Sequence, residues 1–195
     1  MRIWISGLLR MCLRSLAAMR PQFWHCVSPG DFLFFHNLRV GQGLLHSASV
    51  ISRSSGLHEV GSPYSIAVEH LHQSRDKEST WEEVRTRHFP GRPSRLKVFY
   101  VFDRECTASE ANTKWWNGSK LIVPCHPMSG SNIHRADTVW LDCQPAQYEV
   151  NANRYWRGEM SSAPLPEVIV DGSLYFPQWK DHTSQASSSN AVPNK

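Results

Sequence analysis

The run Lys97-Val-Phe-Tyr-Val-Phe102, bounded by Pro93 and Asp103, constrains the fold more than any other stretch. Consecutive β-branched and aromatic residues of that length fit a strand buried on both faces, and the run is too short for a buried helix. Thr107-Ala-Ser-Glu110 then reads as a capping box opening a helix through about Trp116, Asn117-Gly118 as a turn, and Leu121-Ile-Val-Pro-Cys125 as a second strand. A strand–helix–strand order of this kind predicts one mixed α/β domain with the Lys97–Phe102 strand at its centre. The 195 residues suffice for one such domain with a proper core.

The flanking segments are read the same way. After the turn signal Ser28-Pro29-Gly30, Asp31-Phe-Leu-Phe-Phe-His36 is predicted to be a short buried strand with His36 at its end. Residues 37–62 carry many Gly, Ser and His and read as a long loop, and residues 63–88 as helix, with a second start at Ser79 capped through Glu82 and a stop at Pro90. Thr138-Val-Trp-Leu141 reads as a strand and Ala146 to Arg157 as a helix ended by Gly158. Glu167-Val-Ile-Val170 and Leu174-Tyr-Phe176 flank Asp171-Gly172, the signal of a hairpin with a type I′ turn.

Residues 1–27 stand apart as a basic amphipathic leader or helix. Arg10 and Arg14 share one helical face, Trp4, Leu8 and Met11 lie opposite, and no acid precedes Asp31. The arginines interrupt any transmembrane run, and a packed helix, an upstream extension and a targeting segment all stay open. The domain proper is placed at 28–180, and the Ser- and Asn-rich 181–195 is expected to be a disordered tail. Five cysteines, odd in number and never in a CxxC, signal neither a disulfide framework nor a zinc site, so a reducing, cytoplasmic setting fits and no metal is expected; a secreted or organelle-targeted protein is the alternative that the leader leaves open.

Four features are candidates for chemistry. His36, beside a Gly-rich loop, can hydrogen-bond a ligand hydroxyl or serve the structure alone. The segment from Arg85 to Lys97 carries five positive charges and no acid. Its Arg92 and Arg95 could clamp a pyrophosphate or a nucleic-acid backbone, or the cations could simply complement a helix end. Glu167 follows the linker Ala163-Pro-Leu-Pro166, which would hold a carboxylate on a rigid strand edge, functional or structural. Tyr155-Trp156 could stack on a planar ring, although closing the helix end onto the core is the preferred reading.

Taken in order, Gly30–His36, Val84–Phe102 with its Pro93-Ser94-Arg95, Tyr155-Trp156-Arg157-Gly158 and Glu167–Val170 resemble an uncharacterised bacterial family related to ADP-ribosyltransferases, over about residues 28–178. The resemblance implies an α+β fold with a split, bent β-sheet core and flanking helices. It also implies NAD+ as substrate and mono-ADP-ribosyl transfer to an acceptor that could be protein, nucleic acid or a small molecule. Matched by position, His36 would hold the ribose, Ser94 support the cleft (with Tyr64 or Tyr100 as substitutes) and Glu167 act as the catalytic carboxylate. Arg92 and Arg95 would meet the pyrophosphate, and Tyr155 or Trp156 border the nicotinamide. The competing expectations are a non-enzymatic relative that binds nucleic acid or an anionic partner through Arg85–Lys97, and an interaction protein using the 37–62 segment.

Overall fold

The computed structural model describes residues 21–55 and 75–181. Residues 1–20, 56–74 and 182–195, and with them most of the leader, Tyr64, part of the expected loop, the start of the 63–88 helix and the tail, lie outside the described residues.

Two antiparallel sheets form the frame. Strands β1 (Phe23–Val27), β2 (Leu44–His46), β4 (Leu121–Pro127) and β7 (Ser173–Tyr175) make one sheet in the order β1-β4-β7-β2; β3 (Phe99–Val101), β5 (Asn132–Asp137) and β6 (Pro166–Asp171) make the other in the order β3-β6-β5. The fold is thus mixed α+β, as the sequence leads one to expect. β1, which the sequence reading leaves in the leader, pairs along its whole length with β4, Phe23 opposite Cys125 and Val27 opposite Leu121. A bridge between Trp24 and Phe102 ties it to the far end of β3.

The Asp31–His36 stretch is helical, not extended: α1 spans Phe32–Val40. The Asp31 carboxylate accepts from the Phe34 N–H at 2.9 Å, satisfying a free donor of the first turn, and Phe34, Phe35 and Leu38 recur at helical spacing on the buried face. The expected 37–62 loop is structured over its described part, with β2 and then α2 (Ala48–Ser55). Helix α3 (Arg75–His88) runs through Ser79 without a new start, and α4 (Glu105–Trp116) begins one turn earlier than its predicted cap, with Thr107 buried inside it. Asn117 ends α4 in the left-handed conformation, φ 51°. Because β3 and β4 belong to different sheets, the strand–helix–strand order is a crossing between sheets, not one parallel unit.

Two further expectations change. Thr138–Leu141 is a 3-10 turn capped by Asp137, and the strand is β5 just before it; its Asn-Ile-His-Arg-Ala-Asp sequence is too polar to stand out. Asp171-Gly172 is not a hairpin turn. β6 pairs with β3 and β5, while β7 pairs with β2 and β4, so the chain leaves one sheet at Asp171 and enters the other at Ser173. A Cβ at Gly172 would lie 2.8 Å from Ser131 Cα, so a side chain there would block the crossing. Helix α5 (Tyr148–Arg157) does end at Gly158 in the left-handed conformation, as predicted.

The main core lies between the sheets. Phe23, Val123 and Leu174 of one sheet meet Phe99, Val168 and Val170 of the other, with Phe34 and Leu38 of α1 closing it. The opposite face of the second sheet is covered by α3 and α5, where Ile169 and Tyr100 pack against Trp81, Val84, Ala152, Tyr155 and Trp156. β6 is therefore buried on both faces, which is why it reads as an unbroken apolar run. Side-chain alternation sends Val168 and Val170 into the core between the sheets and turns Glu167, Ile169 and Asp171 toward the helices. Among the described residues, no helix is long and apolar enough to cross a membrane.

Candidate functional site

The Pro166 start of β6 brings Glu167 into the second sheet under α3 and α5, where it is buried with Arg95 and Glu78. Arg95 arrives from the 3-10 turn Arg95–Lys97, whose first N–H groups are met by Ser94: its Oγ accepts from Leu96 N at 3.4 Å and donates to Glu82 at 3.0 Å. The Arg95 guanidinium then reaches inward. Nη1 donates to Glu167 Oε1 at 2.6 Å and to Tyr155 Oη at 2.6 Å, and Nε donates to Glu78 Oε2 at 3.2 Å. Tyr155 in turn donates its O–H to Glu167 at 2.6 Å. Charge-assisted bonds of this kind fix a carboxylate in one rotamer.

Two tyrosines flank the cation. The Tyr100 and Tyr155 ring centroids lie 5.1 and 5.0 Å from the Arg95 guanidinium carbon, within cation–π range, and Tyr100 Oη donates to the Arg95 carbonyl at 2.6 Å. Burial by itself would lower the Arg95 pKa, but Glu78, the tyrosines and Glu167 more than reverse this and hold it well above its usual value. Burial also raises the Tyr155 phenol well above its ordinary range; Arg95 opposes this and Glu167 adds to it, so Tyr155 is a donor at neutral pH.

This cluster forms one wall of a cavity of about 380 Å³. Glu78, Arg95, Tyr100 and Glu167 line it from inside, and Lys77, Lys114 and the Trp115-Trp116 pair at the end of α4 line its mouth. Trp115 is 36% exposed and packs edge-on against Trp116 with ring centroids 5.4 Å apart. The Glu167 approach is held by Asp137, a fully buried carboxylate accepting from the backbone N–H groups of Val139 (3.1 Å), Ser161 (2.8 Å) and Leu165 (3.0 Å). Those last two bonds pin the Pro-rich linker that leads into β6.

The other residues singled out in the sequence are distributed differently. His36 is exposed on α1, stacked on Phe32 at 5.6 Å, and does not line the Glu167 cavity. The imidazole on an early strand is that of His25 in β1, buried with Nδ1 2.8 Å from the Tyr100 carbonyl oxygen. Trp156 is fully buried, donates to the Trp81 carbonyl at 2.8 Å and stacks on His134, so it belongs to the core. Arg92 and Ser94 line a second cleft, which shares no residue with the first. Arg95, expected to face a pyrophosphate, has its guanidinium engaged by two carboxylates.

Sequence reasoning missed Glu78, Trp115, Asp137 and His25. The run Phe23-Trp-His-Cys-Val27, rich in aromatic residues and ending at a Ser-Pro-Gly breaker, marks β1 and with it His25; Glu78, 17 positions from Arg95, carries no local signal. Among the described residues, no group of three or more His, Cys, Asp or Glu is arranged to hold a metal ion.

An α+β protein with a buried carboxylate–guanidinium–phenol cluster at the wall of a cavity is the class that fold and site define. Residues 57–179 match the family of proteins of unknown function DUF2441, and the chain belongs to that family. Among the curated proteins, none matches it.

Proposed function

We propose that the protein is an NAD+-consuming mono-ADP-ribosyltransferase in which Glu167 is the catalytic carboxylate. The observation that carries this reading is a carboxylate locked by Arg95 and Tyr155 at the wall of a cavity with an exposed tryptophan at its mouth. In the reaction the bond between the ribose C1′ and the nicotinamide nitrogen breaks. Nicotinamide leaves with the bonding pair, and C1′ acquires oxocarbenium character that a fixed carboxylate stabilises. The acceptor's oxygen, nitrogen or sulfur then bonds to C1′ and releases its proton. Nicotinamide leaves as a neutral base, so the step needs no strong general acid.

In this reading Arg95 and Tyr155 are positioning residues: they hold Glu167 in one orientation and satisfy its buried carboxylate. Trp115 borders the planar ring. His36 has no role, since it lies outside the cavity. The relation to ADP-ribosyltransferases on which this reading draws comes from the order of the sequence pieces, of which Gly30–His36 runs into helix α1 where the sequence predicts a strand; two small antiparallel sheets are compatible with it.

The test compares the wild type with E167Q. Saturating NAD+ is expected to raise the Tm of both proteins, whereas nicotinamide release in the presence of cell extract should fall about 10²–10³-fold in the variant. Absence of any NAD+-dependent shift together with absence of nicotinamide release by the wild type would end the proposal. Full turnover by E167Q would move the chemistry to another residue.

A further inference from the structure

We infer that His25 is a positioning residue for the Glu167 site: its imidazole stands in for a strand partner at the Tyr100 carbonyl, and Tyr100 in turn holds Arg95 against Glu167. Along a strand, the N–H and C=O of alternate residues face the same edge. Phe102 makes both of its backbone bonds to Trp24 of β1, at 2.8 and 2.9 Å, so the Tyr100 carbonyl two residues earlier also faces β1. Past this bridge the two strands run in different sheets, and the Tyr100 oxygen meets the His25 side chain, with Nδ1 2.8 Å away.

A carbonyl oxygen only accepts, so Nδ1 carries the proton and donates. The ring is buried, stacked on Phe34 at 5.4 Å and met edge-on by Phe99 and Phe176 at 6.5 and 6.2 Å. Packing from three sides fixes the ring plane and with it the direction of the N–H. A phenylalanine would fill this aromatic surrounding without burying a polar group; what the imidazole adds is the donor aimed at Tyr100.

Tyr100 then acts on Arg95 twice. Its O–H donates to the Arg95 carbonyl at 2.6 Å, and its ring centroid lies 5.1 Å from the guanidinium carbon. One side chain thus bears on both the main chain and the cation of Arg95, whose Nη1 donates to Glu167 at 2.6 Å. His25 does not line the cavity, so it acts through Tyr100. The consequence for catalysis rests on the ADP-ribosyl reading of that cavity; the link from His25 to Arg95 does not.

The experiment uses the full chain and three variants. H25L fills space without a donor, H25N offers an amide N–H in place of Nδ1–H, and V27A thins the same core while leaving the bond intact. In the wild type at neutral pH, 15N chemical shifts should show the ring protonated at Nδ1 and bare at Nε2. A ring protonated at Nε2 alone overturns the inference, because Nδ1 could then not donate, and this measurement needs no variant to fold. Hydrogen exchange of the Arg95 Nε–H, bonded to Glu78 at 3.2 Å, reads the placement of Arg95 without turnover. H25L should raise its rate about tenfold or more, while H25N and V27A stay within about threefold of wild type. Nicotinamide release from NAD+ reads the consequence: kcat of H25L should fall about tenfold or more with KM within about twofold, and H25N should recover most of the loss. Exchange in H25L equal to wild type, H25N as impaired as H25L, or the same loss in V27A overturns the inference. So does full turnover by H25L beside an active wild type. An inactive wild type that still shows the expected exchange pattern removes the ADP-ribosyl reading and leaves His25 as the residue that sets Arg95.

Discussion

Replacing Arg95 by Met separates the positioning of Glu167 from its chemistry. Arg95 is 4% exposed, and the two carboxylates it serves, Glu78 and Glu167, are 2% and 5% exposed. A single guanidinium therefore compensates two buried acids, and its removal leaves both without their cation, while Tyr155 keeps its O–H bond to Glu167 and loses only the Arg95 N–H that its oxygen accepted. Breaking a buried pair by removing one partner costs about 3–5 kcal/mol, far more than the net worth of the pair. E167Q behaves oppositely. Its amide oxygen still accepts from Arg95 and Tyr155, and Arg95 keeps one full carboxylate partner in Glu78, so the cost should stay within about 1 kcal/mol. Urea denaturation followed by circular dichroism measures both: with a slope of about 2 kcal/mol per molar urea, R95M should shift the midpoint down by about 2 M and E167Q by less than about 0.5 M. An R95M protein less than 1 kcal/mol weaker than wild type, or an E167Q protein as weak as R95M, would show that the cluster is not the buried, mutually compensated unit described.

Further outcomes follow from groups outside the cluster. Burial lowers the pKa of His134 to about 4 and also lowers that of His25, so the folded state favours neutral imidazoles. The unfolded chain then binds more protons between about pH 6.5 and 4. The stabilisation is fully present above that window and is lost as pH falls through it, by about 3 kcal/mol from His134; urea midpoints that stay level between pH 6.5 and 4.5 would contradict this, and H134Q should flatten the slope. D137A removes the acceptor of three backbone N–H groups, with an expected cost on the order of 3 kcal/mol and faster hydrogen exchange at Ser161 and Leu165; unchanged exchange there would refute the linker role. G43A forces a side chain into a left-handed φ of 91°, with a Cβ 2.9 Å from the Phe176 carbonyl oxygen, and should lower stability by about 1–3 kcal/mol in a thermal melt.

The parts of this fold legible in the sequence are those whose local pattern and tertiary setting agree. β3 and β6 read as strands because both are buried on two faces, and α5 reads as a helix because Gly158 terminates it in the conformation glycine favours. The misreadings occur where an element's identity depends on distant partners. Asp31-Phe-Leu-Phe-Phe carries enough aromatic residues for a strand, but the deciding signals, the Asp31 cap and Leu38 one turn on, extend past the apolar run. Asp171-Gly172 has the composition of a tight turn, yet β6 and β7 find partners in different sheets, and a dipeptide carries no information about strand pairing.

The same reasoning explains the candidate site. Arg92 and Arg95 are three positions apart in one basic segment, and composition treats them alike. Pro93 and the Ser94-capped turn separate them: Arg92 stays outside on the second cleft, and Arg95 turns in beneath α3 and α5 toward Glu78 and Glu167, 17 and 72 positions away. Glu167 is detectable because the linker Ala163-Pro-Leu-Pro166 sets it at the rigid head of a strand, and burial of that strand then requires its carboxylate to be either compensated or functional. Its partners were not, since compensation of a buried charge is a property of the packed core and no sequence neighbour supplies it. β6 thus presents an acid at each end of one face. One is matched by a single buried cation shared with Glu78, and the other is held by Ser47, Ser49 and the half-exposed Arg53, so two acids on the same strand face differ in how they are compensated because different elements pack over each end.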